Sequence, residues 1–194
     1  MDITLEARKT RKEQTLLPST VRRLILTGFM GAGKSTIGRL LADRIGWNFL
    51  DLDSHLEQRT GSTIPQLFAI HGEAQFRRLE STALASALGR SNTVLALGGG
   101  VPEELTNRLL LEQTPDTFTI FLDAPFPTLF DRCMLQDIAR PVLEDPVAAQ
   151  LRFARRHPIY SRLARLTIET ADLTPEQTVE ALLTALTQTP HSHT

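Results

Sequence analysis

A glycine-rich turn set between an apolar strand pattern and an amphipathic helix pattern constrains this chain more than any other stretch. Residues 28–36 read Gly28-Phe29-Met30-Gly31-Ala32-Gly33-Lys34-Ser35-Thr36, an uninterrupted match to the phosphate-binding pattern G-x-x-x-x-G-K-[ST]. Residues 22–27 before it read as a buried strand, and Ile37, Leu40, Leu41 and Ile45 after it mark one helical face. Such a turn aims successive backbone N–H groups at one point, and the positive end of the following helix completes an anion cradle. Gly31, Ala32, Gly33, Lys34, Ser35 and Thr36 are therefore the expected contacts of a nucleotide's phosphates. Lys34 can reach the β- and γ-phosphates, and the Ser35 hydroxyl can ligate Mg²⁺.

The rest of the chain continues the strand–helix alternation. Residues 47–51, 93–97, 118–122 and 166–168 read as further strands. Short helices are expected at 53–60 and 64–71, a longer one over 73–88, and others from Pro102 to about 111, over 125–135, up to about 163, and from Thr174-Pro175 onward. Apolar strands alternating with helices imply a parallel sheet covered on both faces, with ligands beyond the strands' C-terminal ends. Residues 136–146 carry Asp137, Arg140, Pro141, Glu144, Asp145 and Pro146 with little periodicity, and are expected to form a mobile lid. Residues 1–20 are expected to be a disordered extension, 21–188 a single domain, and 189–194 a frayed tail.

Composition excludes several classes. With 194 residues and a formal net charge of −1, the chain lacks the basic excess of a general nucleic-acid or membrane-surface binder. No stretch approaches the ~20 apolar residues of a membrane span. A lone cysteine, Cys133, rules out an internal disulfide and fits a reducing, cytoplasmic setting. A monomer is the default expectation. Charge is uneven, however: Arg152, Arg155, Arg156, Arg162 and Arg165 fall in one stretch without an acid. A solvated helical face accounts for some of these arginines, and neutralisation of an anionic ligand is the alternative.

Phosphoryl transfer needs Mg²⁺, a donor cradle, a positioned acceptor and cations over the transferring group. Asp51, at the end of the second strand, is placed to hold Mg²⁺ opposite Ser35. Asp53 could accept a hydrogen bond from a substrate hydroxyl, or could simply cap the next helix. Arg77 and Glu80 share a helical face, and beside a substrate the carboxylate would fix the guanidinium for a bidentate grip on an anion. Gly98-Gly99-Gly100 would let backbone approach a ligand closely, or would merely turn the chain. Arg140-Pro141 suits a segment that swings over the phosphates and excludes water.

Taken in order, Gly28-x-Met30-Gly31-x-Gly33-Lys34-Ser35-Thr36, Asp51-x-Asp53, Phe76-Arg77-x-x-Glu80, Gly98-Gly99-Gly100, Arg140-Pro141 and Arg156-x-x-x-Tyr160 resemble the shikimate kinases over roughly residues 22–187. The resemblance implies a nucleoside-monophosphate-kinase-like P-loop fold, three layers α/β/α with a five-stranded parallel sheet. It implies transfer of the ATP γ-phosphate to the 3-hydroxyl of shikimate, with ATP and Mg²⁺ as cofactors. On this resemblance Asp53 binds the ring hydroxyls, Arg77 and Arg156 hold the carboxylate beside the glycine triplet, and Ile64, Phe68 and Phe76 wall the ring. Arg140 would be the lid arginine on ATP, and Arg132 the candidate for stacking on adenine, with Cys133 competing for that position. No basic residue stands near 170–173, where members contact adenine. Lys34, Asp53 and Arg140 form the expected catalytic set; Asp53 orients the hydroxyl, and late acceptance of its proton is a further step open to it. His55, His71 and His157 read as surface or capping residues.

Three other readings compete. A kinase of another small polyol, such as gluconate, would not need this triplet with two carboxylate-gripping arginines. A P-loop GTPase should carry Asn-Lys-x-Asp, which is absent. A non-catalytic relative would be expected to have lost Lys34, Asp53 or Arg77, and all three are present.

Overall fold

The computed structural model describes residues 20–135 and 145–188. The expectations for the N-terminal extension, for the lid including Arg140, and for the tail fall outside these residues, apart from their boundaries. Five strands, β1 (Arg23–Thr27), β2 (Asn48–Asp51), β3 (Thr93–Ala96), β4 (Thr117–Asp123) and β5 (Leu166–Glu169), form one sheet in the order β2-β3-β1-β4-β5. Every pairing is parallel, with Arg23 opposite both Thr93 and Thr117, Asn48 opposite Thr93, and Ile120 opposite Leu166.

Strand periodicity divides the core between the two faces. Leu24 and Leu26 pack with Ile37, Leu41 and Ile45 of α1 (Lys34–Ile45) and with Val179, Leu182 and Leu186 of α7 (Pro175–Gln188). Ile25, one position out of step, faces the other side with Leu95, Leu97 and Leu84. That side is covered by α3 (Ile64–Leu88) and α4 (Leu105–Gln113). The central strand β1 is wholly buried at Leu24, Ile25 and Leu26, as a strand covered on both faces must be. The remaining helices are α2 (Leu52–Thr60), α5 (Phe126–Met134) and α6 (Pro146–Leu163), and a 3₁₀ turn, Val101–Glu103, follows the glycine triplet.

Helix boundaries follow from local chemistry. Thr63 and Gln66 form a reciprocal capping box at the start of α3, with Pro65 in its first turn. Inside α3, Gly72 alone is non-helical (φ 70, ψ 172), a conformation open only to glycine, so the expected helices at 64–71 and 73–88 join across a kink. Asp145 caps α6 by accepting from Val147 and Ala148 N–H, so the helix starts at Pro146, the last residue of the segment expected to be lid. No described helix is long and apolar enough to cross a membrane.

Candidate active site

The loop after β1 bends through Gly28, Gly31 and Gly33, all at positive φ (145, 79 and 83). A β-carbon on Gly31 would strike the Leu129 carbonyl and sit 3.0 Å from Cys133 Sγ. Helix α1 then starts at Lys34 with Gly33 as its cap, and no side chain accepts from its first N–H groups. Those donors, together with the helix dipole, are what an anion would meet. Lys34 Nζ donates to the loop's own Gly28 and Phe29 carbonyls at 2.8 and 2.9 Å, which holds the ammonium over the cradle. Thr36 is exposed in the first turn.

Ser35 Oγ donates to Asp51 Oδ2 at 2.5 Å, joining the loop to the end of β2. The other Asp51 oxygen accepts from Asp53 and Ser54 N–H at 3.1 and 3.3 Å. Asp51 is thus the cap of α2, and Asp53 sits within its first turn. This decides the question left open by the residues alone: Asp53 is not a cap. Ser35 and Asp51 are hard oxygen donors of the kind Mg²⁺ takes, with phosphate and water oxygens completing its shell. Among the described residues no cluster of three or more His, Cys, Asp or Glu could hold a metal by itself.

The glycine triplet follows β3 beside this loop. Each of its glycines has a polar side chain against its Cα. A β-carbon on Gly98 would lie 2.6 Å from Asp53 Oδ1, and one on Gly100 would lie 2.6 and 2.9 Å from Arg77 Nη1 and Nη2. One on Gly99 would lie 3.5 Å from Arg156 Nη1 and 3.9 Å from the Gly28 carbonyl oxygen. The structure therefore brings Asp53, Arg77, Gly98, Gly99, Gly100 and Arg156 to one place beside the phosphate loop.

Arg77 is held by Glu80 at 2.8 Å, with Glu73 at 3.5 Å. Burial pushes the Glu80 carboxyl up to about 7; the Arg77 charge and hydrogen bond oppose this, and Asp53 adds to it. Phe68 and Phe76 stack with centroids 4.0 Å apart, and the Arg77 guanidinium lies 5.8 and 5.2 Å from the two rings. Ile64 packs on the same cluster. Tyr160 donates to the Gly99 carbonyl at 2.6 Å, and burial raises its phenol further from ionisation.

Arg132 turns outward from α5 and donates to the Thr170 and Ala171 carbonyls at 2.5 and 3.1 Å. Cys133 packs inward, buried against Gly31. The segment after β5, without a basic residue of its own, thus receives one from α5. Arg140 lies outside the described residues.

Sequence reasoning missed two acids here. Glu103 accepts from Arg155 and Arg156 across 52 and 53 positions, and Asp123 pairs with His157 Nε2 at 2.8 Å. Neither acid sits in a motif; Asp123 carried only the faint signal of an acid closing an apolar strand. His55, expected at the surface or a cap, has its Nε2 enclosed with no hydrogen-bond partner, and burial, then Arg90 and Arg59, lower its pKa.

This geometry has counterparts. The shikimate kinase family model matches residues 30–187. A shikimate kinase of Lactococcus lactis subsp. lactis is 42% identical over 161 residues, covering 82% of this chain and 94% of that protein. One from Xanthomonas campestris pv. campestris is 38% identical over 166 residues, covering 84% and 91%. Among solved structures, shikimate kinase from Acinetobacter baumannii in complex with shikimate superposes with TM-score 0.81 at 32% identity, covering 91% of this chain and 96% of that one. The shikimate kinase of Bacteroides thetaiotaomicron gives 0.79 at 32%, covering 87% and 99%. A sugar kinase from Janibacter sp. shares only the fold, at 21% identity and TM-score 0.62. With a five-stranded parallel sheet, an intact phosphate loop and a family match across most of its length, the chain belongs to the shikimate kinases.

Proposed function

We propose that this chain transfers the γ-phosphate of ATP to the 3-hydroxyl of shikimate, giving 3-phosphoshikimate and ADP on the route to chorismate and the aromatic amino acids. The observation that carries the reading is the convergence of one carboxylate and two guanidiniums on three successive glycines next to the phosphate loop. Two cations suit a carboxylate, Asp53 suits ring hydroxyls, and Phe68 and Phe76 supply an apolar wall.

Each residue then has a part. The α1 N-terminus, Lys34 and the backbone of Gly31, Ala32 and Gly33 hold the phosphates, with Ser35 and Thr36 following. Ser35 and Asp51 would hold Mg²⁺, which supplies charge neutralisation between the phosphates when bound. Arg132, fixed against residues 170–171, would flank the adenine. Arg140, in the segment expected from the sequence to form a lid, would cover the phosphates. Asp53 points the acceptor hydroxyl at the γ-phosphate, and Lys34 with Arg140 stabilises charge on the transferring group. A loose transition state asks little of a base, so orientation is the main task of Asp53. We further propose a monomeric, cytoplasmic enzyme.

Replacing Asp53 by Ala should lower turnover by at least a hundredfold while the Kd for ATP stays within about twofold; such a loss is in the usual range for a positioned polar catalytic group. Turnover within tenfold of the unmodified protein would remove Asp53 from the mechanism.

A further inference from the structure

Arg156 is buried, at 8% exposure, and a buried guanidinium needs fixed acceptors. Glu103 supplies them. Its Oε2 accepts from Arg156 Nε at 2.8 Å and Nη2 at 2.6 Å, and its Oε1 accepts from Arg155 Nη2 at 2.6 Å. The Nε–Nη2 edge of Arg156 is thereby taken, and Nη1 is the nitrogen turned toward Gly99.

Glu103 is itself held firmly. It ends the 3₁₀ turn Val101–Glu103, and its N–H donates to the Gly100 carbonyl at 2.9 Å. Arg108 Nη1 donates to the Pro102 and Glu103 carbonyls at 2.6 and 2.9 Å, and Asn107 Nδ2 to the Val101 carbonyl at 2.9 Å. Burial alone would raise the carboxyl's pKa, but the hydrogen bonds and charges of Arg156 and Arg155 outweigh it and keep the group ionised. An anchored acid on the turn immediately after the triplet thus sets the direction of an arginine carried by α6.

We propose that Glu103 is a positioning residue: it presents one chosen edge of Arg156 to the acceptor's carboxylate and so sets affinity for the acceptor, not for ATP. This rests on the reading of Arg156 given under the proposed function. An arginine already ordered loses little freedom when the acceptor arrives, and a fork held at the wrong angle cannot grip a carboxylate with two hydrogen bonds. Without Glu103 the guanidinium loses two hydrogen bonds at once and is held less firmly in this orientation.

The test is a double-mutant cycle in the full chain, with steady-state KM for shikimate and for ATP, and kcat, measured for Glu103→Ala, Glu103→Gln, Arg156→Ala and the Glu103→Ala/Arg156→Ala pair. The inference expects KM for shikimate to rise at least tenfold in Glu103→Ala and less in Glu103→Gln, which keeps one acceptor. KM for ATP should stay within twofold, with kcat changing far less than KM for shikimate. It also expects no further rise when Glu103→Ala is added to Arg156→Ala, because Arg156 is the arginine of the site that Glu103 hydrogen-bonds. The isosteric Glu103→Gln keeps the test readable should Glu103→Ala fold poorly. A raised KM in Arg156→Ala with an unchanged or lowered KM in both Glu103 variants would overturn the inference and leave the site reading standing. Additive effects in the cycle would overturn it as well. An unchanged KM in Arg156→Ala would remove the reading of Arg156 and the inference with it.

Discussion

Among single residues, Glu80 shows what burying a carboxyl beside the site does to its ionisation. The group is 3% exposed, and burial pushes its pKa from 4.5 to about 7 despite the nearby Arg77. The folded protein therefore retains a proton that the unfolded chain releases between these two values. Glu80's contribution to stability is complete below pH 4.5 and disappears as pH rises through about 7. Relative to a Glu80→Gln variant, the unmodified protein should lose up to ~3 kcal/mol of stability across that window. Urea unfolding of both proteins at several pH values measures it, and a constant difference would contradict the account. Other residue-scale facts were only partly legible. Two acids at 51 and 53 marked a site, but which of them capped α2 depended on the angle at which β2 enters the helix. Glu103 was invisible, because its partners lie more than fifty positions away and only the fold joins them.

Among the secondary-structure elements, two glycine segments shape the proposed acceptor pocket. The kink at Gly72 lets the first half of α3 fold back so that Phe68 stacks on Phe76. Gly72→Ala should destabilise the protein by about 1–3 kcal/mol and raise KM for shikimate, since its φ and ψ exclude other residues. Thermal melting and kinetics of that variant check both effects. The triplet works differently. Gly98 and Gly100 have no positive φ, so alanine fits their backbone, but its methyl would reach Asp53 Oδ1 or the Arg77 guanidinium at 2.6 Å. Gly98→Ala and Gly100→Ala should therefore cut kcat/KM for shikimate at least tenfold, leaving KM for ATP nearly unchanged and the folded content intact by circular dichroism. Strand and helix positions were readable because their apolar periods differ. The kink could be read only as a boundary between two helices, since the sequence marks a break without its angle.

At the scale of the whole molecule, the parallel sheet gathers the ends of β1, β2 and β3 at one edge. The phosphate loop, Asp51 and the glycine triplet all emerge there. Strand alternation predicted that edge as the ligand side, but strand order came only from the fold. The order β2-β3-β1 puts the triplet directly beside the phosphate loop, which brings together the motifs proposed as the two halves of one site. Residues 1–19 contribute none of the groups assigned to this site, so their removal should leave kcat and both KM values within twofold. Under the proposed function, a phosphate on this loop has a hydroxylated carboxylate as its destination. Purified protein with Mg-ATP, assayed for ADP with and without shikimate, tests it most directly. ADP formation should depend on shikimate, with one phosphorylated shikimate formed per ADP. ADP release indifferent to shikimate but stimulated by gluconate or a nucleotide would contradict it.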